Sequence, residues 1–288
     1  TTAEIMEYSK KLTTFDKDGN ITRAGFVPKS GYYGWGMESM WLGQAFGARW
    51  YNADGSSAFG SDPRWAKMLT WQKKFIADVY GGGDFTKGTK ALTKFTASRG
   101  GEWGEKHDFI TGRVAMKMDA NWMATLYCTG DAWALADKCT KVNMGVTGFP
   151  TDASVTSTHG GSGVVGYPLA GISKTSKNVK GAWIVLKGLA TDTTLSFQYD
   201  KVGGAPSPLK SAAAKPSGLP SWYEPFYSIQ SNPKSVYHLL PNTGEHKDED
   251  LIATLMAAWQ DGAIDDLKGA LRDTAEKVDA IVARNQTD

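Results

Sequence analysis

Two polar, Gly- and Pro-rich crossings constrain this chain more than any other feature. The first runs from Pro150 to Gly163 and the second is Gly203-Gly204-Ala205-Pro206-Ser207-Pro208. Between them lie about 50 residues with their own apolar extended run, Val164 to Ile172, and a helical stretch, Val179 to Ala190. A chain that leaves one body, visits another and returns builds a hinge, and ligand pockets favour the interface between such bodies. At 288 residues the length prior is also two domains.

The elements on either side alternate between helix and strand, which predicts an α/β fold. Thr1 and Glu4 form a capping box, so the chain opens on a helix, with Ile5, Tyr8, Leu12 and Phe15 recurring on one face. Asp16-Lys17-Asp18-Gly19-Asn20 reads as a tight turn into a strand from Ile21 to Val27, and it lacks the downstream Glu of a calcium loop. Asp62-Pro63 starts a helix that Gly81-Gly82-Gly83 stops, and a polar connection then leads through Leu92 and Phe95 to Gly100-Gly101. From Phe109 the text reads as a short helix, a glycine turn and an alternating strand ending at Trp122. Val142 to Phe149 reads as a further strand, and Leu251 to Gln260 and Asp266 to Ala283 as amphipathic helices. Trp41, Trp50, Trp65, Trp71, Trp183 and Trp259 fall at apolar helical spacing and are expected in the core.

Charge narrows the partner. Thirty-two basic against thirty acidic residues give a net +2, which excludes a large electrostatic footprint for nucleic acid or an anionic membrane and favours a nearly neutral ligand. No apolar run approaches the length that spans a bilayer. The two cysteines, Cys128 and Cys139, either close a loop of about a dozen residues, worth roughly 3 kcal/mol in an oxidising compartment, or stand as two thiols. With His107 and His159 as the nearest imidazoles, their spacing makes a poor zinc site, and no metal or other cofactor is expected.

Aromatic rings in glycine-freed backbone suit a sugar, whose C–H faces want flat platforms and whose hydroxyls want polar neighbours. Gly31-Tyr32-Tyr33-Gly34-Trp35-Gly36 exposes Tyr32, Tyr33 and Trp35, and Asp119 and Asn121 flank Trp122. Gly161, Ser162 and Tyr167 lie at the first crossing, where backbone N–H groups can approach a ligand or serve the hinge alone. Paired carboxylates for glycoside hydrolysis would have to come from Asp119 with Glu102 or Glu105, and nothing in the sequence fixes their separation. Gly160-Gly161-Ser162-Gly163 lacks the spacing of a nucleophile elbow, and Gly81-Gly82-Gly83 lacks the phosphate-loop Lys.

The order of several segments resembles the extracellular solute-binding proteins of ABC importers, in the carbohydrate-binding family of the maltose-binding-protein type. The resemblance lies in Lys10-Lys11-Leu12-Thr13, in Asp18-Gly19 followed by Gly25-Phe26, and in Phe109-x-x-Gly112-Arg113-Val114-Ala115-Met116 leading to Trp122. It continues in Val146 to Pro150, Gly171-Ile172-Ser173-Lys174, Ser176-Lys177-Asn178 ahead of Ala182-Trp183, and Gly203-Gly204-Ala205-Pro206. It implies a two-lobe binding-protein fold in which residues 1–151 and 207–288 form the C-terminal-type lobe and 152–206 a segment of the N-terminal-type lobe. Thr1 matches a helix that the family reaches only after its first third, so one lobe plus a fragment of the other is expected. Trp122 matches the position of a stacking Trp, with Ala120-Asn121 where Gly is usual. Trp35 and Tyr33 match a segment that approaches the cleft, and Glu245 sits near it ahead of the C-terminal helices, where solvated surface is the competing reading. The implied function is capture of a sugar or oligosaccharide between two lobes and delivery to a membrane permease, by an exported, monomeric, non-catalytic protein, periplasmic or attached to the cell surface. The alternatives are a sugar-binding or adhesive module without a hinge and, further off, a glycoside hydrolase.

Overall fold

The computed structural model describes residues 1–32, 37–101, 103–130, 141–165, 170–191, 194, 221–237 and 247–285. The opening helix α1 (Thr2–Leu12) carries the expected capping box: Thr1 Oγ1 accepts the Glu4 N–H while the Glu4 carboxylate reaches back to the first residue. Phe15 does not continue that helical face. It lies on a short strand, β1 (Thr14–Phe15), and is exposed, as is Tyr8. The turn that follows consumes Asp16, whose carboxylate accepts the N–H groups of Asp18 and Asn20 and the Asn20 side-chain amide.

That turn delivers the chain into β2 (Ile21–Phe26), antiparallel to β1. Across its other edge β2 pairs in parallel with β3 (Val114–Met116), Ala24 opposite Val114 and Phe26 opposite Met116. A parallel pair needs a long crossover. Three helices supply it: α2 (Met37–Phe46), α3 (Pro63–Tyr80) and α4 (Phe85–Ala97). Asp62 caps α3 with Pro63 at its first position, and Gly81 ends it, both as the sequence predicts. At Gly25 the sheet approaches α1 so closely that a Cβ would lie 2.4 Å from Ser9 Cα.

Helix α4 stands where a polar connection was expected. Thr and Gly lower its intrinsic propensity, yet Gly88 is what lets it pack on α3, because a Cβ there would sit 2.3 Å from the Ile76 carbonyl oxygen. The core lies between these helices, the sheet and the two C-terminal helices, here α9 (Lys247–Gln260) and α10 (Leu267–Asn285). Trp41 and Trp65 are buried in it, and Trp50, Trp71 and Trp259 pack against it.

After β3 the expected strand to Trp122 is not formed. The chain instead enters helix α5 (Asn121–Thr129), which buries the unbroken run Met123, Ala124, Thr125, Leu126, Tyr127 and Cys128. Nor do residues 142–149 form a strand. Their side chains alternate between half-buried and exposed, but among the described residues no strand pairs with them, and Phe149 N–H is spent on the Ser162 carbonyl.

The first crossing contains a 3-10 turn (Ala153–Val155) and the short α6 (Thr156–His159) before β4 (Val164–Val165). β4 pairs in parallel with β5 (Val236–Tyr237), which follows a second 3-10 turn (Ser221–Tyr223) and α8 (Glu224–Ser231). Between the two strands, α7 (Val179–Leu189) buries no residue, and Trp183 is 53% exposed. The expectation that Trp183 lies in the core is therefore corrected: the helix forms with its apolar side uncovered.

Candidate functional site

The stretch that joins β3 to α5 is built around one buried ammonium. Lys117 Nζ, its side chain 7% exposed, donates to the Tyr127 hydroxyl at 2.6 Å, meets Asp119 Oδ2 at 2.5 Å and lies 2.9 Å from His107 Nε2. Tyr127 donates in turn to Asp119 Oδ2, and Asp119 Oδ1 accepts the Ala120 N–H at 2.8 Å. Both carboxylate oxygens of Asp119 are thus engaged in fixing the turn into α5. Asp119 is half-buried, and its charge is what the neighbouring ammonium needs.

His107 closes the network. Its ring packs 4.8 Å from that of Tyr127, and its Nδ1 accepts the Phe109 N–H. Burial, reinforced by the Lys117 ammonium and only partly opposed by Asp108, holds its pKa down to about 3. The imidazole is neutral at ordinary pH.

On this platform the first turn of α5 presents Trp122, 40% exposed. A Trp in a helix usually turns inward; this one faces solvent while its successors Met123 and Ala124 are buried. Beside it Asn121 is half-buried, and its Nδ2 donates to the Tyr223 hydroxyl at 3.1 Å. Tyr223 is fully buried, which pushes its phenol up to about 12. Its ring is met edge-on by Trp222 at 5.4 Å and touches Phe226 at 5.1 Å. The 3-10 turn at Ser221–Tyr223 is thereby tied to the residue next to Trp122.

The remaining predicted positions divide. Tyr32 is buried, not a platform: its hydroxyl donates to Asp108 Oδ2, and Arg113 Nη1 and the Gly100 N–H converge on Asp108 Oδ1 at 2.6 and 3.0 Å. Ser162 is also buried, donating to the His159 carbonyl and accepting from Gln44 Nε2. Gly161 is exposed with φ +72°, and its carbonyl accepts from Asn232 Nδ2 at 2.9 Å, so this pair joins the first crossing to the end of α8. Trp35, Tyr33, Tyr167 and Glu245 lie outside the described residues, as does Cys139. Cys128 is disulfide-bonded. Of the carboxylates considered for hydrolysis, Glu105 is exposed and paired with Lys141 at 2.6 Å, and Glu102 lies outside the described residues.

Sequence reasoning finds Trp122 and Asn121 but not Lys117, His107, Trp222 or Tyr223. The run Trp222-Tyr223-Glu224-Pro225-Phe226-Tyr227, with its Pro near a helix start, is the signal that marks the last two.

No family model matches the sequence, and no curated protein matches it. Among solved structures, CpMnBP1 with mannotriose bound superposes with a TM-score of 0.72 at 19% identity, covering 96% of this chain and 65% of that one. CpMnBP1 with mannobiose bound gives a TM-score of 0.70 at 19% identity, covering 96% and 63%. The chain therefore spans less than two thirds of the length of the structures it matches. At this identity the likeness is one of fold, and the mixed α/β, binding-protein-like fold class expected from the sequence is thereby shown.

Proposed function

We propose that this chain belongs to a non-catalytic receptor that captures a sugar or oligosaccharide between two lobes and hands it to the membrane permease of an ABC importer. The lobes divide as 1–151 with 207–288 against 152–206, hinged at the two crossings. The observation that carries the reading is Trp122: a solvent-facing indole at the start of α5, a helix whose entry is fixed by the Lys117–Asp119–Tyr127 network and by the Asn121–Tyr223 hydrogen bond. An exposed aromatic face flanked by an amide is what the C–H face and hydroxyl edge of a sugar require. The likeness of fold to proteins solved with mannotriose and mannobiose supports it. The near-neutral charge, +2, fits an uncharged ligand. Capture works by population shift, the sugar binding the closed state better than the open one. A disulfide at Cys128 supports an exported protein, periplasmic or at the cell surface, and the protein is read as a monomer.

Titration calorimetry with mono-, di- and trisaccharides of mannose and of glucose, on the wild type and on Trp122→Ala, tests this. Saturable binding by the wild type that Trp122→Ala weakens at least about tenfold is expected. A wild type that binds none of these sugars overturns it.

A further inference from the structure

Helix α4 forms against its own charges. Its outer face carries Lys87, Lys90 and Lys94, three and then four residues apart, and all three are exposed. At 1.5 Å of rise per residue they extend over about 10 Å along one side of the helix. Like charges at these spacings weaken a helix, and a lysine in the first turn, where α4 has no acidic residue, opposes the helix dipole. Only Lys94, in the last turn, suits it.

Lysines of the neighbouring helices are answered. Lys67 and Lys74 of α3 meet Asp152 and Asp78 at 2.6 and 2.8 Å, Lys73 sits 3.5 Å over the Trp259 ring, and Lys10 and Lys11 of α1 reach Asp78 and Glu7 at 3.3 and 2.6 Å. Among the described residues no carboxylate forms an ion pair with Lys87, Lys90 or Lys94. Asp84, the N-cap, turns its Oδ1 to the Lys87 N–H at 2.9 Å. Lys94 Nζ donates to the Asn20 amide oxygen at 2.6 Å, while the Asp16 carboxylate of that turn accepts the Asp18 and Asn20 N–H groups. Lys29 brings a fourth ammonium and no counter-charge, donating to Thr93 Oγ1 at 2.7 Å.

A surface that breaks the local rules of its own helix marks a place where something else is met. Leu92 and Phe95 turn into the core, and Thr86, Thr93 and Ala97 are exposed with the lysines. Nothing among them can insert between lipid chains, which favours carboxylates on a protein over a membrane.

We propose that the Lys87–Lys90–Lys94 face of α4, with Lys29 at its edge, docks an acidic segment of a partner protein, one that presents several carboxylates in a row. The proposal stands on α4 alone and does not rest on the sugar-binding reading.

Fluorescence anisotropy of a labelled polyglutamate peptide, titrated with the protein at low salt, tests it. The variants are the triple Lys87→Glu, Lys90→Glu, Lys94→Glu and a control of equal net charge, Lys174→Glu, Lys177→Glu, Lys180→Glu, whose lysines are also exposed. Saturable binding by the wild type should weaken at least about tenfold in the α4 triple and less than about threefold in the control, and should fade as salt rises. A second α4 triple, with Gln in place of Glu, should lose binding several-fold, and both α4 triples should melt no lower than the wild type. A wild type that does not bind the peptide, equal losses in the two glutamate triples, or a melting temperature several degrees lower in the glutamine triple overturns the proposal. So does α4-dependent binding to vesicles of phosphatidylglycerol and phosphatidylcholine without binding to the peptide, which would assign the face to a membrane.

Discussion

Helices α3 and α7 each carry a tryptophan at apolar spacing and each is capped by its preceding Asp or Asn, yet α3 buries nine residues and α7 none. Trp65 of α3 is fully enclosed; Trp183 of α7, with Val179, Ile184, Val185 and Leu189, is exposed. The difference separates two things that an amphipathic pattern runs together. Capping and propensity are enough to draw α7, where Asn178 Oδ1 accepts the Gly181 N–H, while burial requires a second surface to pack against. Only α3 has one within the described residues.

The comparison breaks if the enclosed helix proves dispensable. Trp65 makes edge contacts with Phe59 and Trp50 at ring distances of 4.9 and 5.3 Å, and its indole N–H donates to the Arg49 carbonyl at 2.7 Å. Trp65→Ala opens a large cavity and orphans that carbonyl, so urea denaturation should show a loss of about 3–5 kcal/mol. A loss under about 1 kcal/mol would mean that the core is not where the fold's stability lies.

Gly25→Ala probes the same body from the sheet side. The new methyl would meet Ser9 Cα and the Ser9 carbonyl oxygen, both backbone, at 2.4 and 2.7 Å, so α1 has to move off β2. The Gly25 N–H to Thr13 Oγ1 bond at 3.0 Å would be strained with it. A destabilisation of about 2–3 kcal/mol is expected in the same denaturation experiment.

Local chemistry explains how much of this was legible beforehand. The Thr1–Glu4 box, the Asp16 turn and the Asp62-Pro63 start are written within five residues each and are found where predicted. Helix α4 was hidden because Gly88 counts against a helix until the Ile76 backbone beneath it is known. Residues 142–149 alternate as a strand does, but a ladder needs a partner, which alternation does not report. At the candidate site, Trp122 stood out by its setting, although on a helix and not the expected strand. Tyr32, an aromatic in a glycine-flanked run, was singled out too and is buried, its hydroxyl taken by Asp108, a partner 76 residues away. Tyr223 stayed invisible for the same reason, since its link to Asn121 is tertiary.

The small core under Trp122, with Met123, Leu126 and Tyr127 at its centre, differs from the main one in being laced with charge. His107, its pKa about 3 in the folded chain against an ordinary value of 6.5, makes the difference measurable. Below pH 6.5 the unfolded chain takes up a proton that the folded one refuses, so stability is full above that pH and declines as pH falls toward 3. A loss on the order of 2–3 kcal/mol by pH 4.5 is expected, and His107→Gln should flatten that part of the pH profile. An unchanged slope in His107→Gln would show that other groups carry the acid response.

The smallest effect belongs to α7. Trp183→Ala removes as large a side chain as Trp65→Ala, but from a site where the indole is 53% exposed and its helix buries nothing. Little apolar area returns to water when such a side chain is cut, and no cavity is left. Urea denaturation should therefore place Trp183→Ala within about 0.5 kcal/mol of the wild type. The exposed apolar face should be visible in another way, as binding of an anilinonaphthalene dye that falls in Trp183→Ala and falls further when Ile184 is also replaced by Ser. If Trp183→Ala instead costs as much as a core substitution, α7 is covered in solution, and the contrast with α3 disappears.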